Sequence, residues 1–281
     1  MMTLFYITND PRVALIAEEY GVDRIWVDLE TIGKAERQPG NTVKSHHSVQ
    51  DIRVIKPMLT HSEMLVRVQS WNENSETEID EVVEAGADII MLPMWKSVEE
   101  VGKFINAVRG RAKTTLLLET KEAVECLDEV LELGGFDEIH IGLNDLHLSY
   151  GLTFMFELLA DGTVELLCKK IAEKNIPYGF GGIARIGEGA LPAEWILKEH
   201  FRLGSTRAIL SRSFCNLEET KDLQNVRAIF AANMALIREY ERKLPEISRT
   251  EIEENRRAVK RRVSEIVKEK KEISDPQVVK E

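Results

Sequence analysis

Short β-rich apolar runs alternate with helical apolar spacing along almost the whole chain. Eight runs have the pattern of buried strands, at residues 4–8, 24–30, 63–69, 88–93, 114–120, 138–145, 177–183 and 207–214. Between them, apolar residues recur at the spacing of amphipathic helices, as in 76–85, 98–108, 123–133, 164–174 and 192–203. Eight strands separated by helices predict an α/β fold, the (β/α)8 TIM barrel. A doubly wound open sheet is the alternative, and the polar residues that end many strands favour the closed barrel.

The chain changes composition after the last predicted strand. Residues 246–281 are dense in both basic and acidic side chains, with sparse apolar positions such as Ile252, Val259, Val263 and Ile266. This composition predicts a solvated helix with a narrow apolar stripe, packed on the barrel or on a neighbouring subunit. We therefore expect a TIM-barrel catalytic core at 1–216, a C-terminal barrel helix or exchanged helix at 217–245, and a charged helical tail at 246–281.

Two acids stand where predicted strands end. Glu119 closes the apolar run that begins at Thr114, and Asp145 closes the run that begins at Glu138. If the two strands are neighbours in a parallel barrel, their carboxyl ends meet at one mouth and both carboxylates can hold one hard cation, Mg²⁺ or Mn²⁺. Two protein carboxylates leave coordination sites for the carboxylate and ketone oxygens of a 2-keto acid. The alternative for each acid is that it caps the following helix.

Arg67 lies within the otherwise apolar third strand. A buried guanidinium requires anionic partners. It can hold the acids at the neighbouring strand ends structurally, or form a fork with a substrate carboxylate or enolate oxygen, and we favour the second role.

Charge and cysteine content narrow the class of partner. The chain has 281 residues, with 37 Lys or Arg against 48 Asp or Glu and a net charge of −11. This excess of acids argues against nucleic acid as the main partner but leaves small anions possible. Cys126, Cys168 and Cys215 are widely spaced and predict free thiols in a reducing compartment. The N-terminus has neither a signal-peptide pattern nor a membrane span, so a cytoplasmic protein without a membrane partner is expected.

Five strand-end motifs together resemble the HpcH/HpaI aldolase and citrate lyase family. In family order, the motifs are Arg24-Ile-Trp-Val-Asp-Leu-Glu30, Val66-Arg-Val, Ala85-Gly-Ala-Asp-Ile-Ile-Met-Leu-Pro-Met94, Leu118-Glu-Thr-Lys-Glu-Ala-Val124 and Ile139-His-Ile-Gly-Leu-Asn-Asp-Leu-His-Leu148. The resemblance spans about residue 20 to residue 215. It implies a metal-dependent barrel of the phosphoenolpyruvate/pyruvate superfamily, which makes or breaks carbon–carbon bonds next to a 2-keto acid.

The resemblance also implies roles for particular residues. Glu119 and Asp145 become the metal ligands, and Arg67 becomes the residue that binds the enolate and carboxylate oxygens. The backbone around Gly142, Asn144 and Asp145 is expected to cradle the substrate carboxylate. A homo-oligomer with an exchanged C-terminal helix is implied as well.

The chain departs from the family pattern at the proton-transfer residues. Aldolases of the family carry a histidine directly after the strand-two acid Glu30, and this chain has Thr31, whose hydroxyl is not a base near neutral pH. A family glutamine is replaced by Leu117. Glu84 stands where the family places the aspartate that pairs with the missing histidine, so Glu30 and Glu84 are candidate catalytic acids.

Replacements for the missing histidine are sought in the connection after the second strand. It contains the basic or polar residues Lys34, Arg37 and Gln38 and the pair His46-His47. At most one of two adjacent histidines can face a site from extended backbone, and His46 is the candidate base, with exposed loop histidines as the alternative. Elsewhere His140 is expected to be a core residue, and His147 is a weaker candidate.

A glycine-rich loop follows the seventh strand, from Gly179 to Gly189. In barrels, the loops after strands seven and eight often bind phosphate. Arg185 and Arg212 would add positive charge to such a pocket, and the substrate would then carry a phosphate or a second carboxylate. The alternative is a loop shaped for packing.

The combined prediction is a divalent-metal-dependent carbon–carbon lyase or aldolase that forms a pyruvate-like enolate from a small anionic 2-keto acid. Two other functions stay open. The first is a citrate-lyase-like enzyme acting on an acyl thioester. The second is a non-catalytic barrel retained as a binding protein. Thr31 and Leu117 support this alternative, whereas the joint presence of Glu119, Asp145 and Arg67 argues against it.

Overall fold

The computed structural model describes residues 1–33 and 47–274 and contains a closed barrel of eight parallel strands. Each strand pairs with the next along the chain, and the last pairs with the first. The strands are β1 Thr3–Ile7, β2 Arg24–Asp28, β3 Glu63–Arg67, β4 Ile89–Leu92, β5 Lys113–Leu118, β6 Glu138–Ile141, β7 Tyr178–Ile183 and β8 Arg207–Leu210. The predicted TIM barrel is confirmed. Lys34, Arg37, Gln38 and His46 lie outside the described residues.

Helices fill the connections and cover the outside of the barrel. They are α1 Pro11–Glu19, α2 Val49–Ile55, α3 Ser75–Glu84, α4 Val98–Val108, α5 Lys121–Glu125, α6 Leu127–Leu133, α7 Leu143–Ser149, α8 Glu157–Ala160, α9 Thr163–Glu173, α10 Ala193–Arg202, α11 Leu223–Lys243 and α12 Arg249–Ser274. Single 3-10 turns follow α2 at Lys56–Met58 and α11 at Leu244–Glu246. Several helices begin at side-chain caps, for example Ser97, which accepts a hydrogen bond from the backbone of Glu100 before α4.

The sixth predicted strand is wrong in its second half. β6 ends at Ile141, and Asp145 lies instead in the first turn of α7. The reason is visible in the burial of α7, where Leu143, Leu146 and His147 are buried at helical rather than alternating spacing. The eighth strand also ends earlier than predicted, at Leu210. The apolar runs therefore located each strand correctly but extended several of them into the mouth loops.

Side chains that point into the barrel form three layers. The floor, at the amino-terminal ends of the strands, is a buried ionic network centred on Glu138, which accepts hydrogen bonds from Arg24, from Arg207 at 2.7 Å and from Thr115 at 2.7 Å. The middle layer is apolar and consists of Phe5, Trp26, Leu65, Ile89, Met91 and Leu117. The third layer lies at the mouth and is charged. It consists of Asp28, Arg67 and Glu119, which follow Trp26, Leu65 and Leu117 by two residues. Because the strand period is two, the same face that packs the core carries these charged groups to the mouth.

The charged tail packs on its own barrel. Val259, Val263 and Ile266 are buried and lie on one face of α12, which contacts α8 and α10. Asn255 Nδ2 donates to the Trp195 carbonyl at 3.1 Å and to Glu199 Oε1 at 3.0 Å, which fixes the helix lengthwise. Burial of an aliphatic side chain contributes about 1.5–3 kcal/mol, so this narrow stripe is enough to hold the helix. Neighbouring α11 packs against α1.

Across residues 1–33 and 47–274, none of the helices combines the length and apolar content needed to cross a bilayer.

Candidate active site

Arg67 and Asp28 form the central ion pair of the mouth. The two residues are register partners on β3 and β2, so their side chains leave adjacent strands on the same face. Arg67 Nε donates to Asp28 Oδ1 and Nη2 to Oδ2, both at 2.8 Å. Glu30 Oε2 lies 3.2 Å from Nη2. Burial by itself would lower the pKa of Arg67, but Asp28, Glu30 and Glu119 raise the pKa above its usual value, and the side chain stays charged.

Arg67 has one nitrogen that these acids do not use. Nη1 makes no hydrogen bond to any residue of the described ranges, whereas Nε and Nη2 are committed to carboxylates. Its guanidinium carbon lies 5.2 Å from the centre of the Trp26 ring, which supports the group from below. Both roles predicted for Arg67 are thus compatible, since it can hold the acids and still offer Nη1 to a ligand.

Glu119 follows β5 directly and is almost fully buried, at 2% exposure. Its Oε1 accepts a hydrogen bond from the backbone N–H of Met94 at 3.2 Å. Burial raises the pKa of Glu119 well above its usual value, and the nearby carboxylates of Asp145 and Glu30 raise it further, against the opposing effect of Arg67. The raised pKa of Glu119 thus reflects its burial within a group of closely spaced acids.

Asp145 faces the same group of acids from α7 and is 9% exposed. Gly142 precedes the helix and lies against Glu119, because a Cβ atom at position 142 would stand 2.8 Å from Glu119 Oε2. Two neighbouring carboxylates at the open end of a barrel are a donor set that suits a hard divalent cation, with substrate or water as further ligands. Within the ranges that the structure describes, no cluster of three or more His, Cys, Asp or Glu residues is arranged to hold a metal.

Gln69 fixes the backbone around the strand-two acid. Its side-chain oxygen accepts the backbone N–H groups of Thr31 and of the next residue, at 2.9 and 3.0 Å, and its Nε2 donates to the Leu29 carbonyl. Its own N–H donates to both carboxylate oxygens of Glu78 on α3, at 3.2 and 3.1 Å. Burial raises the pKa of Glu78 to about 6. These hydrogen bonds therefore hold the backbone at Thr31 against the side chain of Gln69.

His47 is the histidine that the described structure places at the mouth. Its Nδ1 accepts the backbone N–H of Asp28, the last residue of β2, at 2.9 Å. An Nδ1 that accepts leaves the ring proton of a neutral imidazole on Nε2. Sequence reasoning chose the neighbouring His46, and Asp28 and Gln69 were missed as site residues. Asp28 could have been selected from its spacing, because it follows Trp26 by two residues on β2, just as Arg67 follows Leu65 on β3.

Other predicted site residues are not brought together within the chain. Glu84 is exposed at the C-terminus of α3, where the chain turns back to the start of β4, so it lies at the opposite end of the barrel from Glu119. Asn144 and Arg212 are exposed. Arg185 pairs with Glu188 at 2.9 Å and donates to the Ser213 carbonyl at 3.3 Å. The glycine-rich loop thus holds an arginine whose charge is already compensated.

Two of the positions considered in the sequence analysis, His140 and Leu117, belong to the core. His140 is fully buried, its Nε2 lies 3.2 Å from the Gly181 carbonyl, and burial lowers its pKa to about 4. Leu117 lies in the apolar middle layer directly beneath Glu119.

A family model described as HpcH/HpaI aldolase/citrate lyase matches residues 1–157. No curated protein matches the chain at a significant level.

Solved structures share the barrel. An HpcH/HpaI aldolase from Desulfitobacterium hafniense has a TM-score of 0.61 and 16% identity, covering 81% of this chain and 92% of that one. An HpcH/HpaI aldolase/citrate lyase family protein from Burkholderia cenocepacia has a TM-score of 0.59 and 12% identity, covering 80% and 95%. Citrate synthase SbnG has a TM-score of 0.58 and 17% identity, covering 81% and 94%. At such identities these likenesses show the fold alone.

Proposed function

Because the chain belongs to the HpcH/HpaI aldolase/citrate lyase family, we propose that it is a divalent-metal-dependent carbon–carbon lyase of the aldolase type, acting on a small 2-keto acid. The observation that carries the proposal is the buried carboxylate group at the barrel mouth, where the pKa of Glu119 is raised by burial and by Asp145 and Glu30. Closely spaced carboxylates of this kind are the oxygen ligands that a hard divalent cation prefers.

Glu119 and Asp145 are the residues that would hold the cation, Mg²⁺ or Mn²⁺. When bound, the metal supplies Lewis-acid polarisation of the substrate ketone. Arg67 offers Nη1 to the substrate carboxylate or to the oxygen on which negative charge develops as the carbon–carbon bond breaks. Asp28 fixes the plane of the guanidinium through its two 2.8 Å hydrogen bonds, so that this donor is oriented before substrate arrives.

Proton transfer is assigned to groups that line the same mouth. Glu30 is buried and contacts Arg67, which makes it a candidate acceptor for the proton of a substrate hydroxyl. His47 is a second candidate, since it is held against β2 with one ring nitrogen committed to the backbone of Asp28. Lys34 and His46 stay candidates from the sequence.

The substrate is proposed to carry one carboxylate rather than two anionic groups. Arg185 is already paired with Glu188, and that pairing weakens the case for phosphate binding at the glycine-rich loop. Arg212 and the backbone at Gly142 and Asn144 stay candidates for contacts to the substrate carboxylate.

The direct test is pyruvate release from 4-hydroxy-2-keto acids, followed with a lactate dehydrogenase couple. We expect turnover that is lost after chelation and restored by Mg²⁺ or Mn²⁺. Glu119→Gln and Asp145→Asn should each lower kcat/KM by about 100-fold or more, since loss of a group that only supports a metal ligand already costs about 10–100-fold. Glu188→Gln, a carboxylate exchange outside the metal site, should change it little. Turnover that survives both chelation and the two mouth substitutions would refute the metal-dependent reading.

A second candidate function is carbon–carbon chemistry on an acyl thioester. It is favoured by the family to which the chain belongs, which includes citrate lyases as well as aldolases. Release of free thiol from an acyl-coenzyme A in the presence of a 2-keto acid, without pyruvate release from hydroxy-keto acids, would select it. Stabilisation by metal and oxalate without turnover of either substrate would select the binding-protein alternative.

A further inference from the structure

Met94 has an unusual backbone for its residue type. It follows β4 at the barrel mouth with φ of 54°, in the left-handed region that side-chain-bearing residues seldom occupy. Strained backbone of this kind persists where the surroundings hold it and is concentrated at functional sites. The consequence here is specific, because this conformation directs the Met94 N–H to Oε1 of Glu119 at 3.2 Å.

Gly142 contacts the same carboxylate from the opposite side. A Cβ at this position would stand 2.8 Å from Glu119 Oε2, 2.9 Å from Glu119 Cβ and 3.3 Å from Leu117 Cδ1. Its backbone φ of −82° suits any residue, so the glycine is required for space and not for conformation. The Gly142 N–H donates to the Leu118 carbonyl at 2.9 Å, which keeps this backbone close to β5.

We propose that Met94 and Gly142 are positioning residues that give the two oxygens of Glu119 different roles. Met94 fixes Oε1 on the β4 side. Gly142 leaves room for Oε2 on the side of the turn into α7, which carries Asp145. Oε2 is therefore the oxygen that meets a divalent cation together with Asp145, while Oε1 serves as the anchor. This inference rests on the proposed metal site and deepens it to single atoms.

The alternative is that both residues only pack the mouth. Packing would require Gly142 to be small but would place no demand on the backbone of Met94, since Oε1 would need no donor at that position. The strained conformation and the hydrogen bond occur together at Met94, which supports the positioning role.

Mn²⁺ binding to the full-length protein, measured by the electron paramagnetic resonance signal of free Mn²⁺, tests the inference without relying on turnover. Gly142→Ala should weaken Mn²⁺ binding by 10-fold or more, because Oε2 must move. Met94→Val should weaken it similarly, since a β-branched side chain disfavours positive φ. Met94→Gly keeps both the N–H and the conformation and should bind within about 3-fold of wild type.

Matched controls separate local positioning from general damage. Arg109→Val places the same β-branched change at a residue that also has φ of 54°, but at the end of α4. Gly102→Ala adds a Cβ that meets only Leu133 at 3.9 Å. Both should bind Mn²⁺ as the wild type does, and circular dichroism should confirm that all variants are folded.

The outcomes are distinct. Loss of binding in Met94→Val but not in Met94→Gly or Arg109→Val supports the inference even if Gly142→Ala fails to fold. Wild-type affinity in Met94→Val overturns the inference and leaves the proposed function standing. Equal weakening in Met94→Val and Arg109→Val overturns it too. A wild-type protein that binds no Mn²⁺ overturns the metal site itself, and this inference with it.

Discussion

Removal of one charge from the Asp28–Arg67 pair is expected to be among the most damaging conservative changes in the chain. Asp28→Asn keeps the shape of the side chain but replaces one carboxylate oxygen with an NH₂ group facing the Nη2 donor. Asp28 is 3% exposed and Arg67 is 9% exposed, and both hydrogen bonds measure 2.8 Å. The guanidinium would lose its forked partner without access to water.

The magnitude follows from the burial of the pair. Loss of one partner of a buried ion pair typically costs about 3–5 kcal/mol, because the other charge stays buried and uncompensated. Glu30 still lies 3.2 Å from Nη2 and offsets part of the loss. We therefore expect about 2–4 kcal/mol of lost stability, at the lower end of the range for buried pairs. With an m-value of about 2–3 kcal/mol/M in urea, the unfolding midpoint should fall by roughly 1 M.

Urea unfolding followed by tryptophan fluorescence and far-UV circular dichroism measures the loss, and pyruvate release measures its effect on the site. The matched control is Asp10→Asn, which breaks a fork of the same kind between Asp10 and an Arg12 side chain that is 68% exposed. Asn caps α1 as well as Asp does, so this control should leave the midpoint unchanged. If Asp28→Asn unfolds at the wild-type midpoint, the pair is not holding the mouth and the assigned role of Asp28 is wrong.

Three further predictions concern other parts of the molecule. The pKa of Glu78 is raised to about 6, so the stability that this group contributes is present below pH 4.5 and is lost as pH rises through 6. The stability of Glu78→Gln relative to wild type should therefore increase by about 1–2 kcal/mol between pH 4.5 and 7. A constant difference across that range in urea titrations would contradict the assignment. Glu138→Gln should cost about 3–5 kcal/mol of stability in urea unfolding, because Arg24 and Arg207 lose the charge of their shared partner. In the absence of high urea its kcat should change little, since the floor and the mouth lie at opposite ends of the barrel. Val263→Asp should release α12, seen as rapid proteolysis beyond residue 248 with the remaining barrel intact; protection equal to wild type would mean that the buried stripe does not hold the helix.

The position of each strand could be predicted from its apolar run, but the run did not show which side chains face inward. In the structure, Trp26, Leu65 and Leu117 share the inward face with Arg67 and Glu119. Strand period and helix period are local properties, fixed by the backbone geometry of a few residues, so a single sequence is enough to predict them. The fold followed from the repetition of these two periods.

Strand ends were less predictable than strand positions. The apolar residues on both sides of Gly142 read as one strand, but they belong to β6 and to α7. Nothing local separates a buried strand from the first turn of a buried helix over so few residues. Asp145 was therefore selected as a site residue although the element that carries it was wrong.

The barrel, the buried Arg67 and the pair of acids could be predicted from the sequence, because they depend on local periods and residue chemistry. Which of these groups meet depends on the three-dimensional fold. The Asp28–Arg67 fork depends on register between strands 39 residues apart. The contacts of Glu119 with Met94 and Gly142 depend on loops from two neighbouring strands. Such pairings are set by closure of the whole barrel, and no local pattern encodes them.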